Sequence, residues 1–298
     1  MKDNAISNLA ATDVPPHVSE WRRFCRVFLS RKLVVFGLII IVLFVLMAIL
    51  APFLAPYPAN DPNLTSALQG PSSTHWLGTD PMGRDTLSRI MYGSQTSLEI
   101  GLIVVAIACL AGIILGTLAG YYGGWTNNIV MRIIDALMSF PMILLAMVIT
   151  ALMGSGTRNV IVALSVAMMP AYARVMCAQV ISIKENDYIT ASRSIGASNL
   201  RIMIRHTIPN CFPPLIVLVT MMLGGVILIE AGLSFLGIGI KPPTPTWGRM
   251  INDGRQYLLT LPILSFAPGF ALMLLVFAFN MVGDGLRDAL DPRLRGTL

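Results

Sequence analysis

The sequence predicts an all-α polytopic membrane protein with six transmembrane helices, and three observations carry that prediction. Charged residues make up 12% of the 298 residues, about half the roughly 25% of an average soluble domain. Residues of the Ala, Val, Ile, Leu, Met, Phe, Trp, Tyr and Cys class make up 55%, and the mean hydropathy is +0.73. Apolar runs of about twenty residues recur along the chain, the length that crosses a hydrocarbon core of about 30 Å. So few charges cannot cover a water-soluble globule of this size. A disordered chain is excluded as well, because disorder needs low hydrophobicity and high charge.

The elements follow in order. Residues 1–32 form a mostly polar arm. Leu33 to Leu54 is a run of 22 residues without a charge, about 33 Å of helix at 1.5 Å per residue. This first span (33–55) is longer than the roughly 7–15 residues of a signal-peptide core, so it is expected to remain as a membrane anchor. Pro52, Pro56 and Pro58 end it. Residues 56–95 form a loop rich in Pro, Gly, Asp and Asn, whose last part, Asp85 to Tyr92, is expected to be a short amphipathic helix at the interface. A core of 96–283 then holds five more spans. They run from about Thr96 to Ala119, Ile129 to Met153, Asn159 to Cys177, Pro213 to Phe235 and Leu258 to Val282. The fourth span is the weakest, because Pro170 and Arg174 interrupt it. Residues 284–298 form a tail.

Six crossings put both termini on one side, and basic residues indicate which. Of the 21 Lys and Arg, fourteen fall on the N-terminal arm, the segment between the fourth and fifth spans with its flank, and the tail; six fall on the other side. The bias places both termini in the cytoplasm. The net charge of +6 is thereby explained by orientation in a bilayer, and nucleic acid is not expected as a partner.

Some chemistries are excluded. None of the four lysines follows a glycine, so no phosphate-binding GxxxxGK[ST] loop exists. Neither HExxH nor GxSxG occurs. His17, His75 and His206 are far apart, and Cys25, Cys109, Cys177 and Cys211 share no short spacing. No metal site, disulfide framework or catalytic residue is expected, and the chain is not expected to be an enzyme.

Four features remain as functional candidates. Gly112, Gly116 and Gly120 lie on one face of the second span and suit a close helix–helix seam, within the chain or with another subunit. Arg132 and Asp135 are spaced for an ion pair on one helix face. Glu230 has no basic residue within ten positions; it either lines a translocation path or is hydrogen-bonded to fix packing. The segment between the fourth and fifth spans has apolar residues at near-helical spacing among Lys184, Glu185, Arg193, Arg201 and Arg205. It reads as one or two short amphipathic helices broken near Gly196 and stopped at Pro209. Such helices either enter a protein groove or lie on lipid headgroups.

In that segment, Thr190-Ala191-Ser192, three residues, Gly196, nine residues and then His206-Thr207-Ile208-Pro209 resembles the EAA loop (184–209) of ABC-importer permeases. Ala191, Gly196 and Pro209 match the pattern E-A-A-x3-G-x9-I-x-L-P. Ile208 replaces its leucine, Thr190 its glutamate, Ser192 its second alanine and His206 its isoleucine. His75 to Asp80 with Gly83-Arg84-Asp85, Glu230 to Gly237 with Pro242 to Gly248, and Gly283 to Pro292 resemble the C-type permease of the dipeptide/oligopeptide/nickel importers. The likeness extends over about residues 20–295.

The resemblance implies the type I importer permease fold (MetI-like), in a bacterial or archaeal cytoplasmic membrane. It implies a heterodimer with a second permease, two ATP-binding subunits carrying the ATP and Mg, and an extracytoplasmic binding protein. The path would carry di- or oligopeptides or similar small solutes. Thr190, Ala191, Ser192, Gly196, His206, Ile208 and Pro209 would couple to an ATPase subunit. Gly78, Asp80, Gly83, Arg84 and Asp85 would brace the outer mouth or contact the binding protein; alternatively they fold on themselves around a turn at Pro81 to Gly83. The competing class is a secondary transporter or channel without ATPase partners, which would want several convergent intramembrane charges.

Overall fold

In the computed structural model, which describes residues 20–290, a first helix α1 (Glu20–Ser30) leads through Arg31 into α2 (Lys32–Leu54). Residues 1–19 and 291–298, with Lys2, His17, Arg293 and Arg295, lie outside the described residues. α2 is the charge-free first run folded as one helix. It ends at Leu54 because Ala55 precedes Pro56 and takes the extended backbone (φ −65°, ψ 124°) that a following proline favours.

The next helix, α3 (Thr86–Tyr122), has 37 residues, about 55 Å of rod. It starts well before the expected second span. Asp85 caps it, accepting from the Ser88 backbone amide at 2.8 Å, which satisfies one of the orphan donors of a helix start. The separate interface helix expected at Asp85 to Tyr92 is therefore corrected: from Thr86 those residues are the first turns of α3. Gly93, the one helix-weakening residue there, lies under Trp247, whose indole would be 2.8 Å from an added Cβ.

The third expected span is also corrected. It is two helices, α4 (Gly124–Met138) and α5 (Met142–Met153), bent by 89°. The cause is local, since Pro141 has no N–H to donate and disfavours helical backbone at Phe140. Five helices are long and apolar enough to cross alone, and the broken pair counted as one crossing makes six.

The fourth span, α6 (Thr157–Lys184), runs unbroken through Pro170 and Arg174, contrary to the expected interruption. It is the most enclosed of the long helices, with 56% of its most apolar window buried against 22–39% for the others. Polar and small residues weaken its apolar signal, but protein surrounds it more than lipid does. Arg174 pairs with Asp135 of α4. The expected Arg132–Asp135 pair is thus corrected: Arg132 is exposed, and Asp135 serves the α4–α6 contact instead.

The chain continues through α7 (Asp187–Ser194), α8 (Asn199–Ile202), α9 (Ile208–Phe235), α10 (Trp247–Gly254) and α11 (Ile263–Leu290). No strand occurs among the described residues. Arg31 at the start of α2 and Asp288 near the end of α11 form an ion pair of 2.5 Å, so those two helix ends meet.

The α3–α6 pair is the most extensive in the bundle. A Cβ at Gly112 would lie 2.9 Å from the Ala173 amide nitrogen, one at Gly116 2.5 Å from the Ala173 carbonyl, and one at Gly120 2.8 Å from the Cys177 carbonyl. The glycine face is therefore a seam within this chain, closed on the α6 backbone. Val104, Ala108, Leu164, Met168 and Met176 extend it into one core cluster. A second cluster joins α2, α10 and α11 through Phe44, Trp247, Leu275 and Phe279. There the Trp247 indole donates to the Ile90 carbonyl at 3.1 Å and meets Phe44 edge-on.

These contacts predict the response to added side chains. Gly116→Val forces the seam apart, an overpacking cost of about 1–3 kcal/mol or more, and should lower the midpoint of thermal unfolding in detergent by several degrees. Gly225→Ala, at a helical glycine with nothing within 4 Å of the new methyl, should leave that midpoint unchanged or slightly raised. Equal effects of the two substitutions would refute the seam.

Candidate functional site

The segment between α6 and α9 is assembled from strong local signals. α7 carries Asp187 in its first turn and Arg193 in its last, each opposing the helix dipole. It closes on Gly196, whose φ of +83° lies in the left-handed region. The Gly196 amide donates to the Arg193 carbonyl at 3.0 Å and the Ala197 amide to the Ser192 carbonyl at 3.1 Å. These two bonds are a Schellman ending, which glycine adopts without a Cβ penalty. Ser198 then caps α8, accepting from the Arg201 amide at 3.4 Å.

Beyond α8 the chain does not stop at Pro209, as the sequence suggested. Residues Met203–Thr207 form a π-helical turn, with the Ile208 amide reaching the Met203 carbonyl, and α9 starts at once with Pro209 in its first turn. A proline is tolerated there because its missing N–H falls where bonding is already rearranged. Pro209 therefore opens the fifth span, and the amphipathic segment is continuous with it.

The segment is tied to the end of the glycine seam. Tyr121 at the last turn of α3 donates to the Asn199 side-chain oxygen at 2.9 Å, and the Lys184 ammonium lies 3.4 Å from the Gly120 carbonyl. Ile189, Ile202, Met203 and Thr207 face inward and are buried. The opposite side is left bare: Ile195 is 86% exposed and Leu200 62%, with Tyr188 and Ile204 also exposed. Exposed Arg193, Arg201 and Arg205 flank them.

Among the motif positions, Thr190, Ala191, Gly196 and Pro209 are exposed, and Ser192, His206 and Ile208 are half-buried. The Ser192 hydroxyl donates to the Tyr188 carbonyl at 2.7 Å. The anchor Asn199 and the apolar Ile195, Leu200 and Ile204 were not singled out from the sequence. Their signal was present in the helical spacing around the Gly196 break.

At the far end of α3, the loop motif closes on itself. The turn from Asp80 to Gly83 is held by the Gly83 amide donating to the Asp80 carbonyl at 2.8 Å. Gly83 has φ +72° and leaves room for the Asn63 backbone; Gly78, at φ +73°, does the same for Gln69. The Asp80 carboxylate accepts from the Arg84 guanidinium at 2.6 Å and 2.7 Å, with Arg89 at 3.6 Å. Asp85 takes the Ser88 amide and hydroxyl and lies 2.9 Å from the His75 Nδ1. Arg89 also donates to the Ala59 carbonyl at 2.8 Å. These charges are largely buried and are satisfied by one another, forming a clasp that caps α3.

Glu230 is 1% exposed. Its Oε1 accepts from the Ser234 hydroxyl at 2.7 Å, while Oε2 is buried without a partner. Of the two expected readings, the packing contact is the one present within this chain, since the carboxyl faces its interior. No group of three or more His, Cys, Asp or Glu side chains suited to a metal occurs among the described residues.

Residues 112–296 match the family described as binding-protein-dependent transport system inner membrane component. Residues 19–71 match the N-terminal transmembrane domain of oligopeptide transport permease C. A dipeptide transport system permease protein of Alkalihalophilus pseudofirmus is 43% identical over 278 residues, covering 93% of this chain and 91% of that protein. A glutathione transport system permease protein of Pectobacterium atrosepticum is 43% identical over 276 residues, covering 92% of each. In structure, a chain of the inward-facing MetNI methionine ABC transporter aligns with a TM-score of 0.56 and 21% identity. That alignment covers 69% of this chain and 97% of the other, and at this identity it speaks to the fold alone. The five-to-six-span bundle, the segment beside the glycine seam and these relationships agree: the chain belongs to the binding-protein-dependent transport system inner membrane components, as a permease subunit of an ABC importer.

Proposed function

We propose that this permease forms one wall of a path for dipeptides, glutathione-like peptides or similar small solutes across the inner membrane, beside a second, homologous permease. Solute arrives from an extracytoplasmic binding protein, and ATP with its Mg is held and hydrolysed on two separate ATP-binding subunits. The names of the two relatives support the peptide class. The core of residues 96–283 forms the wall, the segment 184–209 meets an ATP-binding subunit, and residues 1–32 and 284–298 flank the core at the cytoplasmic face.

One observation carries the coupling role. The segment leaves Tyr188, Ile195, Leu200 and Ile204 uncovered at the end of the bundle opposite the clasp, the first two before the span that begins at Asn199 and the last two in its first turns. An apolar face on short helices interrupted by charge asks for a protein groove, and Arg193, Arg201 and Arg205 around it suit an acidic rim. Through Tyr121–Asn199 and Lys184–Gly120, a displacement of the segment reaches α3 and α6 directly. Rigid transmission between outward-facing and inward-facing states needs such a joint.

Three outcomes test this. Leu200→Asp should strongly reduce the ATP-binding subunit that copurifies in mild detergent, while the permease pair stays together; stoichiometric retention would overturn the docking role. Gly196→Val places a β-branched residue at φ +83°, a strain of about 1–3 kcal/mol, and should uncouple ATP hydrolysis from uptake without loss of membrane insertion. Gly196→Asn, which tolerates left-handed backbone, should restore most of the coupling. Ser192→Cys should react with an impermeant maleimide only from the cytoplasmic side of oriented vesicles, and labelling from outside would reverse the orientation of the chain.

A further inference from the structure

On the clasp side, a cleft of about 680 Å³ opens between residues 58–61, the stretch of α3 from Tyr92 to Glu99, and Thr244–Pro245. Its size falls within the roughly 300–1,000 Å³ of small-molecule sites. Asp61 and Glu99 line it, and no Lys, Arg or His does. Both carboxylates are exposed, and neither has an ion pair or side-chain hydrogen bond among the described residues. This sets the cleft apart from the neighbouring clasp, where Asp80 and Asp85 have several partners each.

Glu99 is a second, separate observation. It lies about four turns into α3, at the edge of the apolar run that follows it, yet the chain does not bury it. An ionisable side chain at the edge of an apolar run favours water or a functional cavity over lipid. The cleft is such an opening. The remaining walls are mixed: the Tyr92 ring, Pro58 and Pro245 are apolar, and the Gln95 amide is polar.

The chemistry selects the ligand. A bare metal ion wants three or more convergent ligands, and no such group occurs among the described residues. An anion is repelled by two unpaired carboxylates. An organic ammonium fits: carboxylates accept its N–H donors, an aromatic ring attracts its charge, and an adjoining amide can pair with Gln95. We infer that this cleft receives the protonated amino end of a small peptide as it enters the path, with Glu99 and Asp61 as its acceptors. The inference rests on the chain forming one wall of an import path. Exposed carboxylates bind weakly, as a site that must release its solute requires.

The test is a calorimetric titration of the purified complex in lipid nanodiscs, without nucleotide. The probes are L-alanyl-L-alanine amide, a cation, and its neutral N-acetyl form. Saturable binding of the cation alone is expected, weakened by about tenfold or more in Glu99→Gln and in Asp61→Asn. Asp284→Asn, at the other end of the molecule, should leave it unchanged. Each variant is checked for the thermal midpoint of the parent, so that loss of binding is not loss of fold. No saturable binding to the parent, equal binding of the N-acetyl form, or full binding in Glu99→Gln/Asp61→Asn would each overturn the inference. If ATP-binding subunits copurify and the cation does not bind, this inference alone fails; if none copurifies, the importer path fails with it.

Discussion

The backbone-to-backbone contact of α3 and α6 is the constraint on which the arrangement of the bundle depends. In lipid, helices gain little from the hydrophobic effect by meeting one another, so close packing through small residues has to hold them. Gly112, Gly116 and Gly120 let the α3 backbone rest on Ala173 and Cys177. That contact makes α6 the enclosed helix, with Pro170 buried in it, while Arg174 stays exposed and pairs with Asp135. It also brings the ends of α3 and α6 into register, so that Tyr121 and Gly120 meet Asn199 and Lys184. One helix thus runs from the clasp at Asp85 to the anchor of the segment at Asn199.

The two ends of α3 are built on opposite principles. At the clasp, Asp80, Arg84, Asp85 and Arg89 are taken out of water only because each has a partner. A buried charge left without one would cost several kcal/mol. Such a site has little capacity left for an outside protein, which favours bracing over recognition for that motif. At the other end, the buried side of the segment is apolar and its exposed side is apolar too, ringed by arginines. The Schellman ending at Gly196 and the π turn at Met203–Thr207 shape this surface through backbone bonds, without using its apolar side chains. The side chains of Ile195, Leu200 and Ile204 are therefore free for another molecule.

Much of this was legible in the sequence, and the failures have physical causes. Long apolar runs located α2 closely and found α9 and α11 with their starts displaced by five residues and the end of α11 by eight, since burial in lipid leaves no alternative composition. The broken α4–α5 pair was missed because composition measures apolarity, whereas Pro141 acts on backbone geometry. The Arg132–Asp135 pair was inferred from spacing within one helix; the structure gives Asp135 to Arg174, 39 positions away, which spacing cannot see. Pro209 was read as a stop because proline breaks a helix that reaches it from the N-terminal side, whereas in the first turn of α9 its missing N–H costs nothing. The glycine spacing indicated a seam, but its partner became visible only when Ala173 was found against it.

Glu99 and Glu230 show where sequence reasoning stops and what packing adds. In the sequence they are alike, each a lone acid beside or within an apolar run. In the fold, Glu230 is roofed by the turn that follows α9. The Ser234 hydroxyl donates to it, the Ile240 amide lies 3.3 Å from that same hydroxyl, and the Gly239 backbone presses so close that a Cβ there would come within 2.6 Å of the Ser234 nitrogen. The acid is packed under the connection to Trp247. Glu99 is turned the other way, because on α3 the neighbouring Ile100 and Gly101 take the inward face, with Ile227 packed where a Gly101 side chain would go. A helix offers about 100° per residue, so occupying that face directs position 99 outward. The same carboxyl chemistry is sealed in one case and presented to an open cleft in the other. Which outcome applies is decided by the residues beside each acid and the helices they meet.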